Sequence, residues 1–272
     1  MIKDVIMRIG GFMEYRMSWM PFVENCRKFF EEGKTNSLYP LMEAIDDLYR
    51  LGPEKSPFLP PGAPGDEQAR IFAQSFFVCH RTFLSAAMAT GSGLPEDGEA
   101  ITRRALEAAK TCLAIKIDPA NLEAWLSAEK RRARWEQRAK GEVPKNLSVQ
   151  YSASVKSEPL YDELQSEIGT VSDLGVHFTP EYFQRYSWEE TPLPGGGRDF
   201  SFGLNVGAIE FGFVMLSKHY ELIFRVFDRC EDGRMLQHPE VAKAHRYVHY
   251  LHEHFQKAAK PALEAFVNGA AA

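Results

Sequence analysis

The stretch from Glu99 to Lys140 constrains the fold more than any other part of the sequence. Its first half places apolar residues at the 3, 4, 3, 4 spacing of an amphipathic helix, at Ile101, Ala105, Ala108, Ala109, Cys112 and Leu113. Asp118 and Pro119 then end this helix and begin another, because the residue before a proline avoids helical geometry and Asp is a good N-cap. The stretch therefore predicts two helices that meet at a corner.

Similar helical patterns recur along the 272 residues, and no segment alternates for long enough to predict a sheet of any size. Asp66 to Thr90 carries apolar residues around most of its circumference, which predicts a central helix. Further helices are predicted in Glu14–Glu32, in a short segment from Thr179 to Trp188, and in Phe202–Cys230 and Pro239–Val267. We therefore predict an all-α, multi-helix bundle of about eight or nine helices.

The run from Gly52 to Gly65 contains five prolines and three glycines, which is typical of a surface loop or linker. We predict a single all-helical domain over residues 1–272. The alternative is a division at this loop, with N-terminal helices in residues 1–65 and the main bundle in residues 66–272.

Charge and cysteine content limit the class of protein. The net charge of −5 argues against a surface built as a whole to hold nucleic acid or anionic lipid, so any such contact must be local. The four cysteines form no CxxC pair and follow no secretory signal, which indicates free thiols in the cytoplasm. The most apolar run, Leu204 to Leu216, is too short to span a membrane and carries Glu210.

A polar cluster on the first helix of the corner is one candidate site. Glu107 lies within reach of both Arg103 and Arg104, at spacings of four and three residues. An Arg/Glu pair of this kind orients a phosphate or a carboxylate when a third partner completes it, and His177 is the candidate partner. An ordinary structural ion pair is the more frequent explanation.

The last predicted helix holds the densest group of histidines. His245, His249 and His252 fall within an arc of roughly 60° on that helix. Imidazoles on one face bind a transition metal when a carboxylate from another helix completes the site, but histidines beside an apolar stripe are more often half-buried packing residues. We therefore predict no metal site and no cofactor.

A basic stretch follows the corner. Its cations are Lys130, Arg131, Arg132, Arg134, Arg138 and Lys140, and Trp125 and Trp135 lie among them. Clustered cations with interleaved aromatic residues bind phosphates and stack bases, so this stretch is the candidate contact for RNA or DNA. A solvated helix face is the alternative explanation of the same charges.

Two segments, RRALEAAKTCLAIKIDPANLEAW and LYDELQSEIGTVSDLGVHF, resemble the paired Arg/Glu helix and later Tyr/His segment of uncharacterised bacterial all-helical families and of the HEPN superfamily. The likeness covers about half the chain, from Asp66 to Trp188. It implies a helical bundle of a nucleotide-binding or ribonuclease kind. HEPN nucleases carry an Arg followed four to six residues later by His, and RYVHYLH, from Arg246 to His252, matches, with Tyr247 where a polar residue is frequent.

Two functions follow as expectations. The first is a cytoplasmic helical module that binds a partner protein, a second copy of itself or nucleic acid without catalysis. The second is a HEPN-like, metal-independent ribonuclease, of the toxin or defence kind, in which Arg246 holds the phosphate and His249 or His252 transfers the proton. Convergence of His177 and His252 with Arg103 and Glu107 in one pocket would favour the enzyme.

Overall fold

The computed structural model describes residues 5–9, 13–17, 38–58, 67–126, 152–172, 186–192, 198–204 and 206–267, together with five single residues: Glu24, Arg27, Lys28, Glu31 and Lys140. Within these ranges the chain forms nine helices: α1 (Tyr39–Lys55), α2 (Glu67–Gly91), α3 (Pro95–Ile117), α4 (Ala120–Leu126), α5 (Ala153–Lys156), α6 (Pro159–Val171), α7 (Val206–Cys230), α8 (Arg234–Gln237) and α9 (Pro239–Val267). The prediction of an all-α, multi-helix bundle is confirmed.

Two short antiparallel hairpins accompany the helices and were not predicted. Strand β1 (Val5–Ile9) pairs with β2 (Met13–Met17), and β3 (Tyr186–Pro192) pairs with β4 (Arg198–Leu204). The predicted helix from Thr179 to Trp188 is therefore wrong over residues 186–188, which lie in β3, and its earlier residues lie outside the described ones. The predicted helix Glu14–Glu32 is wrong over residues 14–17, which lie in β2, and α7 begins four residues later than predicted. The missed signal is the alternation of apolar and small or polar residues in β4, RDFSFGL, which has the period of a strand.

Helix α7 is the central helix of the bundle, because it contacts α1, α2, α3, α6 and α9. The prediction that α2 would be central is wrong. One side of α2 is buried, but four large apolar side chains on its other sides are exposed: Phe77, Val78, Leu84 and Met88. The wide apolar circumference of α2 therefore reflects a buried face together with an exposed apolar one.

Aromatic rings from α1, α2 and α7 form the centre of the core. The Tyr49 ring stacks on Phe76 with their centroids 5.0 Å apart, and it meets Phe224 edge-on at 5.6 Å. The Tyr49 hydroxyl donates a hydrogen bond to the Tyr220 carbonyl at 2.8 Å, which satisfies its buried polar atom. Burial raises the pKa of Tyr49 well above its usual value, so this side chain stays neutral.

Helix α1 extends into the segment predicted as a loop. The loop predicted from Gly52 begins later, because α1 continues through Gly52 and Pro53 to Lys55. Pro53 lies in the last turn, where its missing N–H removes a single helical hydrogen bond. Gly52 lets α1 approach α7, since a Cβ at this position would lie 3.0 Å from the Phe224 ring.

Helices α2 and α3 approach each other closely at Gly98. A Cβ built there would lie 2.3 Å from the Thr90 hydroxyl and 2.9 Å from the Ala86 carbonyl, which belongs to the backbone and cannot move aside. We expect Gly98→Ala to lower the free energy of unfolding by about 2 kcal/mol, within the range for overpacked cores. Chemical denaturation followed by circular dichroism measures this loss.

Gly169→Ala in α6 is the matched control, because a Cβ at that position meets nothing within 4 Å. This substitution should raise the free energy of unfolding by about 0.5 to 1 kcal/mol, since alanine is the better helix former. Equal effects of the two substitutions would contradict the proposed contact between α2 and α3.

Candidate functional site

The predicted polar cluster on α3 lies at the surface of the bundle. Arg103 Nε lies 3.1 Å from Glu107 Oε1, with the two side chains 32% and 54% exposed, and Arg104 is exposed as well. His177 lies outside the described residues. The Arg103–Glu107 contact therefore has the geometry of an exposed ion pair within one helix, which contributes little to stability.

The residues of the Arg/His motif on α9 have different neighbours. Arg246 and His249 are exposed, and His249 Nε2 lies 3.3 Å from Glu253 Oε1. His252 is half-buried, and its Nδ1 lies 2.6 Å from Ser217 Oγ on α7. Burial lowers the pKa of His252, and the neighbouring His249 and Lys218 lower it further, against the opposing effect of Glu221.

Ser217 and His252 form a packing contact between α7 and α9. Ser217 is fully buried, and its hydroxyl also donates to the Val214 carbonyl at 2.7 Å. The single hydroxyl proton is then committed to the backbone, so His252 donates from Nδ1 to Ser217 Oγ. This arrangement does not activate Ser217 as a nucleophile, which requires the hydroxyl to donate to the imidazole.

The third histidine of the predicted group, His245, faces a carboxylate on α7. Its Nε2 lies 2.7 Å from Glu221 Oε1, and Arg225 Nε lies 3.0 Å from the same oxygen. Among the residues that the structure describes, no group of three or more histidine, cysteine or acidic side chains has the geometry of a metal site. The contact of His245 with Glu221 joins α9 to α7.

The predicted nucleic-acid patch, Lys130, Arg131, Arg132, Arg134 and Arg138, lies outside the described residues, so it stays a prediction. Trp125, near the end of α4, is 45% exposed, and Lys140 is exposed.

A cleft of about 570 Å³ lies between α1 and α2, and Phe213 of α7 contributes to its lining. Its apolar lining comprises Tyr39, Met42, Phe83, Leu84, Ala87, Met88 and Phe213, and its polar side comprises Glu43, Asp46, Asp47 and Arg50. The described part of this lining holds no serine, cysteine, histidine or lysine.

The pattern of α1 places the acidic residues along one side of this cleft. Leu41, Ile45 and Leu48 turn into the core, and the intervening polar residues remain at the edge. On α2, Leu84 and Met88 follow each other at one turn of spacing and are 48% and 61% exposed. The cleft therefore has an apolar wall on α2 and an acidic rim on α1.

The rim carries more negative than positive charge. Arg50 Nη1 lies 3.4 Å from Asp47 Oδ1 and 3.8 Å from Asp46 Oδ2, so one guanidinium serves two carboxylates. His80 Nε2 lies 2.7 Å from Asp46 Oδ1 behind the rim. Glu43 is exposed and adds a third carboxylate. The side chains of the rim itself, three carboxylates and one arginine, have a net charge of −2.

Sequence reasoning missed this cleft. The signal was present in α2, where Leu84 and Met88 lie on the side of the helix opposite to Ile71 and Ala86. We interpreted that second apolar side as evidence of complete burial, whereas the structure leaves it open.

Comparison of the chain with protein-family models, with curated proteins and with solved structures found no match. The resemblance to the HEPN superfamily and the ribonuclease function that it implies therefore stay predictions. None of the helices in the described part of the chain is both long enough and apolar enough to cross a membrane.

Proposed function

We propose that this protein is a non-catalytic helical module that binds an amphipathic, basic helix of a partner protein in the cleft between α1 and α2. One observation carries the proposal: Leu84 and Met88 are 48% and 61% exposed in a cleft whose opposite edge carries three carboxylates.

The apolar wall supports a binding function. Exposed leucine and methionine side chains that share one wall of a cleft leave apolar surface in water, and covering it on binding is favourable. Methionine adapts its shape to different partners, because its side chain is unbranched and flexible. Met42 and Met88 both line the cleft, so it is suited to a helix whose apolar residues vary.

The acidic rim supports a basic partner. Glu43, Asp46 and Asp47 attract lysine or arginine on the polar face of an incoming helix, while its apolar face packs on α2. The same rim repels phosphates, so this cleft does not suit nucleic acid. Its volume of about 570 Å³ is sufficient for several side chains of a docked helix.

We place this module in the cytoplasm. Cys79, Cys112 and Cys230 are free, buried thiols. Burial raises the pKa of Cys112 to about 11, and the nearby Ser75 opposes this effect slightly. Protonated, buried thiols of this kind persist in a reducing compartment. Cys26 lies outside the described residues.

A pair of synthetic helical peptides tests the proposal. The first carries leucines at i, i+3, i+4 and i+7 with lysines elsewhere, and the second has glutamate in place of every lysine. We expect the basic peptide to bind at micromolar concentration and the acidic peptide to bind at least tenfold more weakly, because the rim is negative. Fluorescence anisotropy with labelled peptides and the full chain measures both affinities.

Substitutions locate the binding surface. Leu84→Asp should weaken binding of the basic peptide by at least tenfold, because it places a charge in the apolar wall. Val78→Asp is the matched control, since Val78 is 58% exposed on α2 but does not line the cleft. Equal binding of the two peptides, or equal effects of the two substitutions, would overturn the proposal.

A further inference from the structure

The outward face of α9 carries a second surface of distinct chemistry. Six exposed residues share this face: Lys243, Arg246, Tyr247, Tyr250, His254 and Lys257. At about 100° per residue they fall within an arc of roughly 100°, opposite the buried Val241 and Val248. The face extends for about 21 Å along the helix axis. We name it the α9 face.

The α9 face is positively charged and contains no carboxylate. Lys243, Arg246 and Lys257 make no ion pair with any residue in the described part of the chain. The nearest acidic residues on α9 lie at its edges, where Glu240 Oε2 pairs with Lys55 Nζ at 3.1 Å and Glu253 contacts His249. This local positive charge stands out on a chain whose net charge is −5.

Exposed aromatic rings lie between these cations. Tyr247 and Tyr250 are 51% and 62% exposed, which is a large exposure for aromatic side chains on a helix. His254 stacks on Tyr250 with ring centroids 6.2 Å apart and an angle of 22° between the planes. The α9 face therefore presents ring surfaces held between positive charges.

We propose that the α9 face binds single-stranded nucleic acid, with bases stacked on Tyr247 and Tyr250 and phosphates on the three cations. Stacking accepts any base, and phosphate contacts accept any sequence, so binding is independent of sequence. This site differs from the cleft between α1 and α2, and it involves no cleavage of the strand.

A partner protein is the other class of ligand that exposed tyrosines suit. Charge decides between the two classes. Three cations with no carboxylate between them match a strand that carries one phosphate per nucleotide.

The test uses a fluorescein-labelled 12-nucleotide single strand, as RNA and as DNA, with the full chain in fluorescence anisotropy. We expect binding at 20 mM salt that weakens with salt, with a slope of log affinity against log salt of about −2 for three contacts. Double-stranded DNA of the same length should bind several-fold more weakly, because its bases are not available for stacking.

Two pairs of variants separate the contributions of rings and charges. Tyr247→Ala with Tyr250→Ala should reduce affinity by about tenfold or more without changing the salt slope, since stacking is lost and the charges remain. Lys243→Gln with Arg246→Gln should weaken binding and reduce the magnitude of the slope by about 1.4, because two of the three phosphate contacts are lost. Arg81→Gln with Arg104→Gln removes the same charge from exposed positions on α2 and α3 and is the matched control.

Three results would overturn the proposal. The first is a chain that binds neither strand at 20 mM salt. The second is an equal loss of affinity in the Lys243/Arg246 variant and in the Arg81/Arg104 control. The third is a loss confined to Arg131→Glu with Arg132→Glu and Arg134→Glu, which would assign binding to the basic stretch.

A tyrosine variant that loses its folded circular dichroism spectrum is replaced by Tyr247→Leu with Tyr250→Leu, which keeps the apolar surface and should still lose affinity.

Discussion

Replacement of Phe76 by alanine is expected to lower the free energy of unfolding by about 4 kcal/mol, which is within the range for buried aromatic residues. Phe76 is fully buried, and its ring contacts four other aromatic rings of the core at centroid distances of 5.0 to 6.1 Å: Tyr49, Phe58, Phe224 and Phe227. Removing the ring leaves a cavity at the junction of α1, α2 and α7. Denaturant unfolding at 25 °C, followed by circular dichroism, measures the loss.

The adjacent Phe77 is the control, because it has the same chemistry and is 54% exposed. Phe77→Ala should cost less than about 1 kcal/mol, since little buried surface is lost. Phe76→Leu should fall between the two alanine variants, because leucine fills part of the cavity. Similar losses for Phe76→Ala and Phe77→Ala would mean that the aromatic core does not pack as described.

The contrast between Phe76 and Phe77 shows how far the sequence constrained the fold. Helical spacing and a first-turn proline were sufficient to predict α9, and spacing with Asp118 and Pro119 predicted the end of α3, because these signals act within one helix. Helix α3 begins at Pro95, four residues before the predicted start at Glu99. Which side of α2 faces the core depends on α1, α3 and α7, against which it packs. That information is not local, so the periodicity alone suggested a helix buried on every side.

The same dependence on residues far apart in the sequence explains why the candidate sites were predicted only in part. Arg103 and Glu107 were predicted to pair because they lie four residues apart on one helix, and their contact at 3.1 Å agrees with that spacing. The cleft and the contacts among α6, α7 and α9 depend on residues more than 20 positions apart. Residue spacing within one helix therefore cannot predict them. Within α9, Tyr247 and Tyr250 lie three residues apart and so share one side of the helix, but their exposure depends on the neighbouring helices.

Polar side chains join α7 to α6. Glu167 on α6 is 6% exposed, and its two oxygens accept hydrogen bonds from Lys218 Nζ at 2.6 Å and from His219 Nε2 at 2.9 Å. Burial alone would raise the pKa of Glu167, but the contacts with His219 and Lys218 outweigh burial and lower its pKa to about 2. The ionised carboxylate is therefore part of the folded structure at neutral pH.

We expect Glu167→Gln to lower the free energy of unfolding by about 3 kcal/mol at pH 7, which corresponds to a pKa depressed from 4.5 to about 2. A depressed carboxyl pKa stabilises the folded state above the unfolded value, and the stabilisation is lost as the pH falls through the folded value. The difference between the wild type and the variant should therefore decrease below pH 4.5, to about 1 kcal/mol at pH 3.

Other groups also make stability depend on pH, in both directions. Burial lowers the pKa of His219, against the opposing effect of Glu167, so acidification below pH 6.5 favours the unfolded state. Burial raises the pKa of Asp228 and of Glu231, despite hydrogen bonds that oppose it, and this favours the folded state on acidification. The pH dependence of the free energy of unfolding of the wild type therefore reflects several titrating groups. The difference in this free energy between the wild type and Glu167→Gln reports the titration of Glu167.

Glu107→Gln is the control for this comparison, because Glu107 also pairs with a cation but is 54% exposed. An exposed pair is screened by solvent, so this substitution should change the free energy of unfolding by less than about 0.5 kcal/mol at any pH between 3 and 7. If Glu167→Gln were equally mild at pH 7, or if its effect stayed constant from pH 7 to pH 3, the carboxylate of Glu167 would not be what holds α6 against α7. The ion pair between Arg225 Nη2 on α7 and Glu163 Oε1 on α6, at 2.6 Å, would then be the polar contact that holds the two helices together.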